Sequence, residues 1–159
     1  MYRIGIGYDI HALGVNRDLI IGGVKIPHTL GLIGHSDADV LIHAIIDAMF
    51  GALALGDIGT HFPDTDDAYK GISSVILLDR ANNLIHDEGY TINNLDCNII
   101  VQEPKMKPHI PTIRKTLAKV LKIDVNLISV KAKTKEKMDS VGEKRAIEAN
   151  AVVMLRKEI

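Results

Sequence analysis

The segment from Ser36 to Leu53, reading SDADVLIHAIIDAMFGAL, limits this chain more than any other. Ser36 with Asp39 three residues on forms a capping-box-like start, which predicts a helix beginning near Asp37. Asp39, His43 and Asp47 then recur at every fourth position and share one face, while Leu41, Ile45, Met49 and Leu53 can face a core. A helix this apolar must be buried. Each polar group on its stripe then needs a partner, because burying an unpaired imidazole or carboxylate is expensive. Two solutions are open for His43: a hydrogen bond to a carboxylate one turn away, or a metal ion, with Asp39 and Asp47 as supporting carboxylates.

The chain before this helix bears on that choice. Tyr2 to Leu13 alternates Ile4, Ile6 and Tyr8 against small residues and then presents Asp9 and His11, which is strand periodicity. Residues i and i+2 of a strand point to the same side, so Asp9 and His11 project together and can hold one ion between them. Two histidines and one carboxylate make a three-ligand set that suits zinc with an open fourth position, where a water or a phosphate oxygen binds.

The remaining segments complete an α/β pattern. Leu19 to Ile26 reads as a hairpin turning at Gly22-Gly23, and Pro27 ends it. Ser73 to Gly89 has helical spacing (Val75, Leu78, Ala81, Asn82, Ile85) with Gly89 as the stop signal, and His86 reads as a surface residue of its last turn. Tyr90 to Gln102 reads as a strand with Leu95, Cys97, Ile99 and Val101 on one side. Glu103 to Pro111 is a proline-fixed loop, and an amphipathic helix starting near Pro111 buries Ile113, Leu117, Val120 and Leu121. Leu127 to Lys135 reads as a strand that delivers Thr134 and Glu136 at its end, and Ala146 to Leu155 as a last core strand, its alanines and Glu148 leaving a helix open at its start. The expected fold is α/β (α+β): a two-layer sandwich of a mixed β-sheet with helices on one face, in a single domain over residues 1–159.

Composition excludes several classes of function. A net charge of −1, no long basic run and no Trp argue against nucleic acid as a partner. Asp47 and Asp57 interrupt the longest apolar stretch, so no membrane span is expected. The lone cysteine, Cys97, rules out a disulfide within the chain and reads as a buried thiol. With no signal-peptide pattern, the expected location is a reducing compartment: the cytoplasm of a bacterium, or a plastid-type organelle after removal of a transit peptide.

Five motifs in order, G-Y-D-I-H at 7–11, H-S-D-A-D-V-x-x-H at 35–43, A-L-G-D-I-G at 54–59, H-F-P-D-T-D at 61–66 and E-P-K-M-K-P-H-I at 103–110, closely resemble the 2-C-methyl-D-erythritol 2,4-cyclodiphosphate synthase family over nearly the whole chain. The resemblance implies a homotrimer with active sites at subunit interfaces. It also implies closure of 4-diphosphocytidyl-2-C-methyl-D-erythritol 2-phosphate to the cyclodiphosphate with release of CMP, a phosphorus–oxygen lyase step of non-mevalonate isoprenoid synthesis. By motif match, Asp9, His11 and His43 are the implied zinc ligands, one zinc per subunit. Glu136 is implied to hold magnesium or manganese with the substrate, and His35 and Thr134 to stabilise the transition state. Substrate contacts are implied at Asp9, His11, His35 and Ser36; at Asp57, Ile58 and Gly59; and at Phe62, Pro63, Asp64, Thr65 and Asp66. On the cytidine side they are Val101, Gln102, Glu103, Pro104, Lys105, Met106 and Lys107, with Lys133, Thr134, Lys135 and Glu136 meeting the diphosphate.

The sequence departs from the family pattern late in the chain. Lysines flank Thr134 where many members have threonines, and Asp139-Ser140-Val141-Gly142-Glu143 replaces G-F-T-G-R. Ser140 and Glu143 thus stand where the family has an aromatic and an arginine facing a central cavity that can hold an isoprenoid diphosphate. Binding there is expected to be weakened unless Lys144 or Arg145 substitutes.

Overall fold

The computed structural model describes residues 1–159. In chain order its elements are β1 (Tyr2–Gly14), β2 (Leu19–Ile21), β3 (Val24–Ile26), β4 (Gly31–Leu32), α1 (Val40–Ala52), α2 (Ile58–His61), α3 (Ser74–Asp87), β5 (Tyr90–Ile100), α4 (Ile110–Leu121), β6 (Ile128–Lys133), α5 (Asp139–Gly142) and β7 (Ala146–Lys157). Five strands form a mixed sheet in the order β4-β1-β7-β5-β6, and β2 pairs with β3 as a separate hairpin. Strand β7 is central and antiparallel to both β1 and β5, while β5 and β6 run parallel. The parallel pair requires a crossover connection, and α4 supplies it.

Glycines set the closest approach in the fold. A Cβ at Gly5 would stand 1.9 Å from the Ala48 carbonyl oxygen, and one at Gly7 would stand 1.8 Å from that of Ala44. Helix α1 therefore lies directly on the β1 backbone, a distance that only glycine on the strand and alanine on the helix permit. α1 also crosses β7, and α3 and α4 extend the same layer over β5 and β6. Leu41, Ile45, Met49 and Phe50 of α1 are fully buried; side chains of this size contribute about 1.5–3 kcal/mol each on burial.

Strand alternation has an unusual consequence on β1. Because Gly5 and Gly7 take the helix-facing side, Ile4, Ile6 and Tyr8 point away from it and lie on the open face of the sheet, Ile4 67% and Ile6 75% exposed. Val152 of β7, paired with Ile6, is exposed beside them. On the same open side Tyr8 donates its hydroxyl to Glu148 Oε2 at 2.6 Å. Glu148 Oε1 pairs with Lys135 Nζ at 2.9 Å. The hydrogen bond to Glu148, together with burial, pushes the Tyr8 phenol up to about 12.

Most expected elements are present, with boundaries moved. The helix predicted from Asp37 begins at Val40, and its N-cap is Asp39, which accepts from Ile42 N–H. The reason is Ala38, whose left-handed φ of 57° breaks the helix between Ser36 and Asp39. Gly89 follows the C-cap of α3 with φ 83°, as its stop-signal role requires. His86 is exposed in the last turn of α3. Burial pushes the Cys97 thiol up to about 12, which suits an inert core residue. The short elements β4, α2 and α5 are additional to the expected set.

Candidate active site

Asp9 and His11 lie on the helix-facing side of β1, in step with Gly5 and Gly7, and His43 projects toward them from α1. Asp9 Oδ2 is 2.8 Å from His11 Nε2 and 3.2 Å from His43 Nδ1. The two imidazole nitrogens are 3.3 Å apart. Tetrahedral zinc with bonds of about 2.0–2.1 Å spaces its ligand atoms roughly 3.3 Å apart, so this triangle has the dimensions of one face of such a site.

Hydrogen bonding makes the case independently. His11 Nδ1 faces the Ile33 carbonyl oxygen at 3.0 Å, and a carbonyl only accepts, so the His11 proton belongs on Nδ1. His43 Nε2 faces Ser74 Oγ at 2.9 Å, and the Ser74 hydroxyl is itself donated to Asp37. Its proton therefore belongs on Nε2. In their neutral forms, both histidines aim lone pairs at the Asp9 carboxylate. Such a set needs a cation at its centre, and a metal ion fits it. Without metal, a proton takes that part. Burial would push Asp9 up, but hydrogen bonds and charge from His11 and His43 hold it at about 2. Burial would lower His11, yet the Asp9 carboxylate raises it above the ordinary histidine value.

The triad lines a cavity of about 450 Å³ together with His35, Ser36, Asp47, Ile58, Gly59, Phe62, Pro63, Asp64, Thr65, Tyr69 and Leu77. His35 Nε2–H is donated to the Asp66 carbonyl oxygen at 3.1 Å, which leaves Nδ1 without a protein partner. Ser36 Oγ accepts from Ala38 N–H and from His43 Nε2–H, each at 3.2 Å, so its own proton is available to a ligand. Asp57 and Asp66 do not line the cavity and act as caps: Asp57 accepts from Thr60 N–H and Oγ1–H, which lowers its pKa, and Asp66 accepts from Ala68 N–H.

A second cavity, of about 390 Å³, lies where β5 and β6 end. Val101, Gln102, Pro104, Lys105, Met106 and Lys107 line it with Ala132, Lys133 and Thr134. The two cavities share no lining residue. Glu103, Lys135 and Glu136 line neither of them. Glu103 pairs with Lys144, and Lys135 turns to Asp139 and Glu148 on the open face of the sheet.

The expectation that Asp39 and Asp47 support His43 is corrected. Asp39 accepts from Gly22 N–H at 2.9 Å and Gly23 N–H at 2.7 Å, tying the β2–β3 turn to the start of α1. Burial pushes its carboxyl up against these donors. Asp47 accepts from Ile58 N–H at 2.8 Å and so positions the Ile58–Gly59 turn. The residues that do meet His43 from behind are Ser74 and Ser36. Arg17 was also not foreseen. Its guanidinium donates to the carbonyls of Leu32 (3.1 Å), Gly34 (3.3 Å) and Ser36 (2.9 Å), holding the loop that carries His35. No local pattern around Arg17 or Ser74 marks either residue.

The YgbB family matches residues 2–156. A protein of Clostridium botulinum (strain Hall) named 2-C-methyl-D-erythritol 2,4-cyclodiphosphate synthase is 56% identical over 153 residues, spanning 96% of this chain and 99% of its own length. One from Brachyspira hyodysenteriae with the same name is 53% identical over 155 residues, 98% of each chain. Among solved structures, the CDP complex of IspF from Plasmodium falciparum superposes with a TM-score of 0.88 at 42% identity, covering 99% of this chain and 97% of that one. With four of the five motifs lining one cavity and the fifth lining a second, and with relatives alike over almost their full length, one assignment is left: the chain belongs to the YgbB family.

Proposed function

We propose that this chain is a phosphorus–oxygen lyase of non-mevalonate isoprenoid synthesis, active as a single catalytic domain over residues 1–159. Its substrate is 4-diphosphocytidyl-2-C-methyl-D-erythritol 2-phosphate, and its products are 2-C-methyl-D-erythritol 2,4-cyclodiphosphate and CMP. The observation that carries this reading is the Asp9-His11-His43 triangle opening into the same cavity as His35 and Ser36, in a chain so similar to proteins that bear that name.

In the reaction, an oxygen of the 2-phosphate attacks the β-phosphorus of the diphosphate arm. The bond from that phosphorus to the bridging oxygen breaks, and CMP leaves with the oxygen and its electron pair. No protein nucleophile is needed; alignment and charge stabilisation do the work. Asp9, His11 and His43 would hold zinc, and Glu136 magnesium or manganese with the substrate; the positive charge would screen the two anionic groups from each other. His35 stands beside the phosphate with Nδ1 free of protein partners, and the free Ser36 proton supplies a donor. Thr134 donates to the β-phosphate from the other side. Ile58 and Gly59 hold the erythritol hydroxyls, with Phe62 to Thr65 closing the pocket. The second cavity takes the cytidine.

Two observations support a homotrimer with sites between subunits. The cytidine cavity and the metal-side cavity share no lining residue within one chain. The open sheet face also leaves Ile4, Ile6, Tyr8 and Val152 exposed, an apolar surface that a second copy would cover.

Incubation of the zinc- and magnesium-loaded protein with substrate, followed by phosphorus NMR, tests the reaction. CMP and a cyclic diphosphate in equal amounts are expected, with no inorganic phosphate. Phosphate release would instead identify a zinc hydrolase, and zinc binding without turnover would identify a binding protein.

The departures near residue 140 carry their own prediction. Arg145 is forked onto Glu143 Oε2, and Lys144 pairs with Glu103 at 3.0 Å, so neither cation replaces the missing arginine freely. Calorimetric titration with geranyl diphosphate is expected to show no binding tighter than about 1 mM. Micromolar binding would refute this.

A further inference from the structure

His43 is held from behind by a chain of hydrogen bonds that begins on another helix. Ser74, fully buried at the first position of α3, places its Oγ 2.9 Å from His43 Nε2. Its hydroxyl is donated to Asp37 Oδ1, and its backbone N–H to Asp37 Oδ2 at 3.0 Å. The direction of donation has one solution. A carboxylate only accepts, so the Ser74 proton goes to Asp37, and Ser74 Oγ meets His43 as an acceptor. That places the His43 proton on Nε2 and the lone pair on Nδ1, the atom aimed at Asp9 and His11.

We infer that Ser74 and Asp37 are the positioning pair of the metal site, fixing the tautomer and ring orientation of His43 so that Nδ1 is a preformed ligand. This rests on the metal reading of the Asp9-His11-His43 triangle. The carboxylate at the far end polarises the Ser74 hydroxyl, strengthens it as an acceptor and makes the imidazole a better electron donor. Ser36 Oγ is a weaker substitute: it lies at 3.2 Å from Nε2 and already accepts from Ala38 N–H. The pair also joins the N-terminus of α3 to the loop before α1, so packing of the two helices sets the angle of the ligand.

Ser74→Ala separates the positioning role from a structural one. It removes the hydroxyl but keeps the N–H that Asp37 caps, so the metal-free variant is expected to unfold cooperatively near the wild-type temperature. Zinc affinity of the full-length chain, measured by competition with a chromophoric chelator, is expected to fall about tenfold or more. The cobalt-substituted variant is expected to show a shifted visible absorption band. Asp37→Asn, which leaves Ser74 in place, is expected to weaken zinc binding in the same direction. Wild-type affinity in both variants overturns the inference. Failure of the wild-type chain to bind zinc, or binding that His43→Ala leaves unchanged, overturns the metal reading and this inference with it.

Discussion

His43→Ala is expected to bind no zinc at stoichiometric metal and to lose at least about a thousandfold in CMP release, while its oligomeric state stays unchanged. The size follows from the site: with Nδ1 gone, only Asp9 Oδ2 and His11 Nε2 remain, 2.8 Å apart, and a two-ligand site forfeits the charge that phosphoryl transfer depends on. The oligomeric state is expected to hold because His43 projects from α1 on one side of the sheet, while the exposed Ile4 and Ile6, the surface proposed for self-association, lie on the other. Metal analysis, CMP release and sedimentation on one preparation check all three. Substantial turnover in zinc-free protein would sink the mechanism.

Gly7→Ala should be the most damaging single methyl group in the chain. Its Cβ would sit 1.8 Å from the Ala44 carbonyl oxygen and 2.8 Å from Ala48 N. Both are backbone atoms of α1, so relief requires moving the helix, not a side chain. A loss of at least about 3 kcal/mol is expected, at the upper end of overpacking effects. For a chain of this length that lowers the thermal midpoint by roughly 6–12 °C. Because the shift would drag His43 away from Asp9, zinc affinity should fall too. Gly51→Ala is the control: the nearest atom to its Cβ is the Ile6 carbonyl oxygen at 3.8 Å, and alanine is the better helix former, so stability should hold or rise. Equal midpoints for the two variants would refute the close-approach argument.

The Asp9-His11-His43 group was legible as a candidate metal site because residue spacing encodes direction. A D-x-H on a strand puts both side chains on one side, whichever side that is, and the same kind of pattern marks the longer strands and helices and the β2–β3 turn. The supporting residues were not legible. Asp39 and Asp47 share a helical stripe with His43, and nothing local says that one reaches back to Gly22 and Gly23 while the other reaches forward to Ile58. Ser74 and Arg17 act on the site from 31 and 19 residues away along the chain, a distance at which no periodicity operates. The start of α1 was misplaced for a related reason: a left-handed Ala38 has no sequence signal, since alanine is an excellent helix former.

The order of residues alone sets which chemical groups are present, how they follow one another on strand and helix, and the family resemblance those motifs carry. Which side of β1 faces inward was decided only by tertiary structure. Alternation alone is symmetric between the Ile4-Ile6-Tyr8 side and the Gly5-Gly7-Asp9-His11 side, and hydrophobicity by itself favours burying the former. The close seat of α1 on the strand, which no residue larger than glycine allows, reverses that preference. It turns Asp9 and His11 toward His43 and leaves the isoleucines exposed on the opposite face of the sheet.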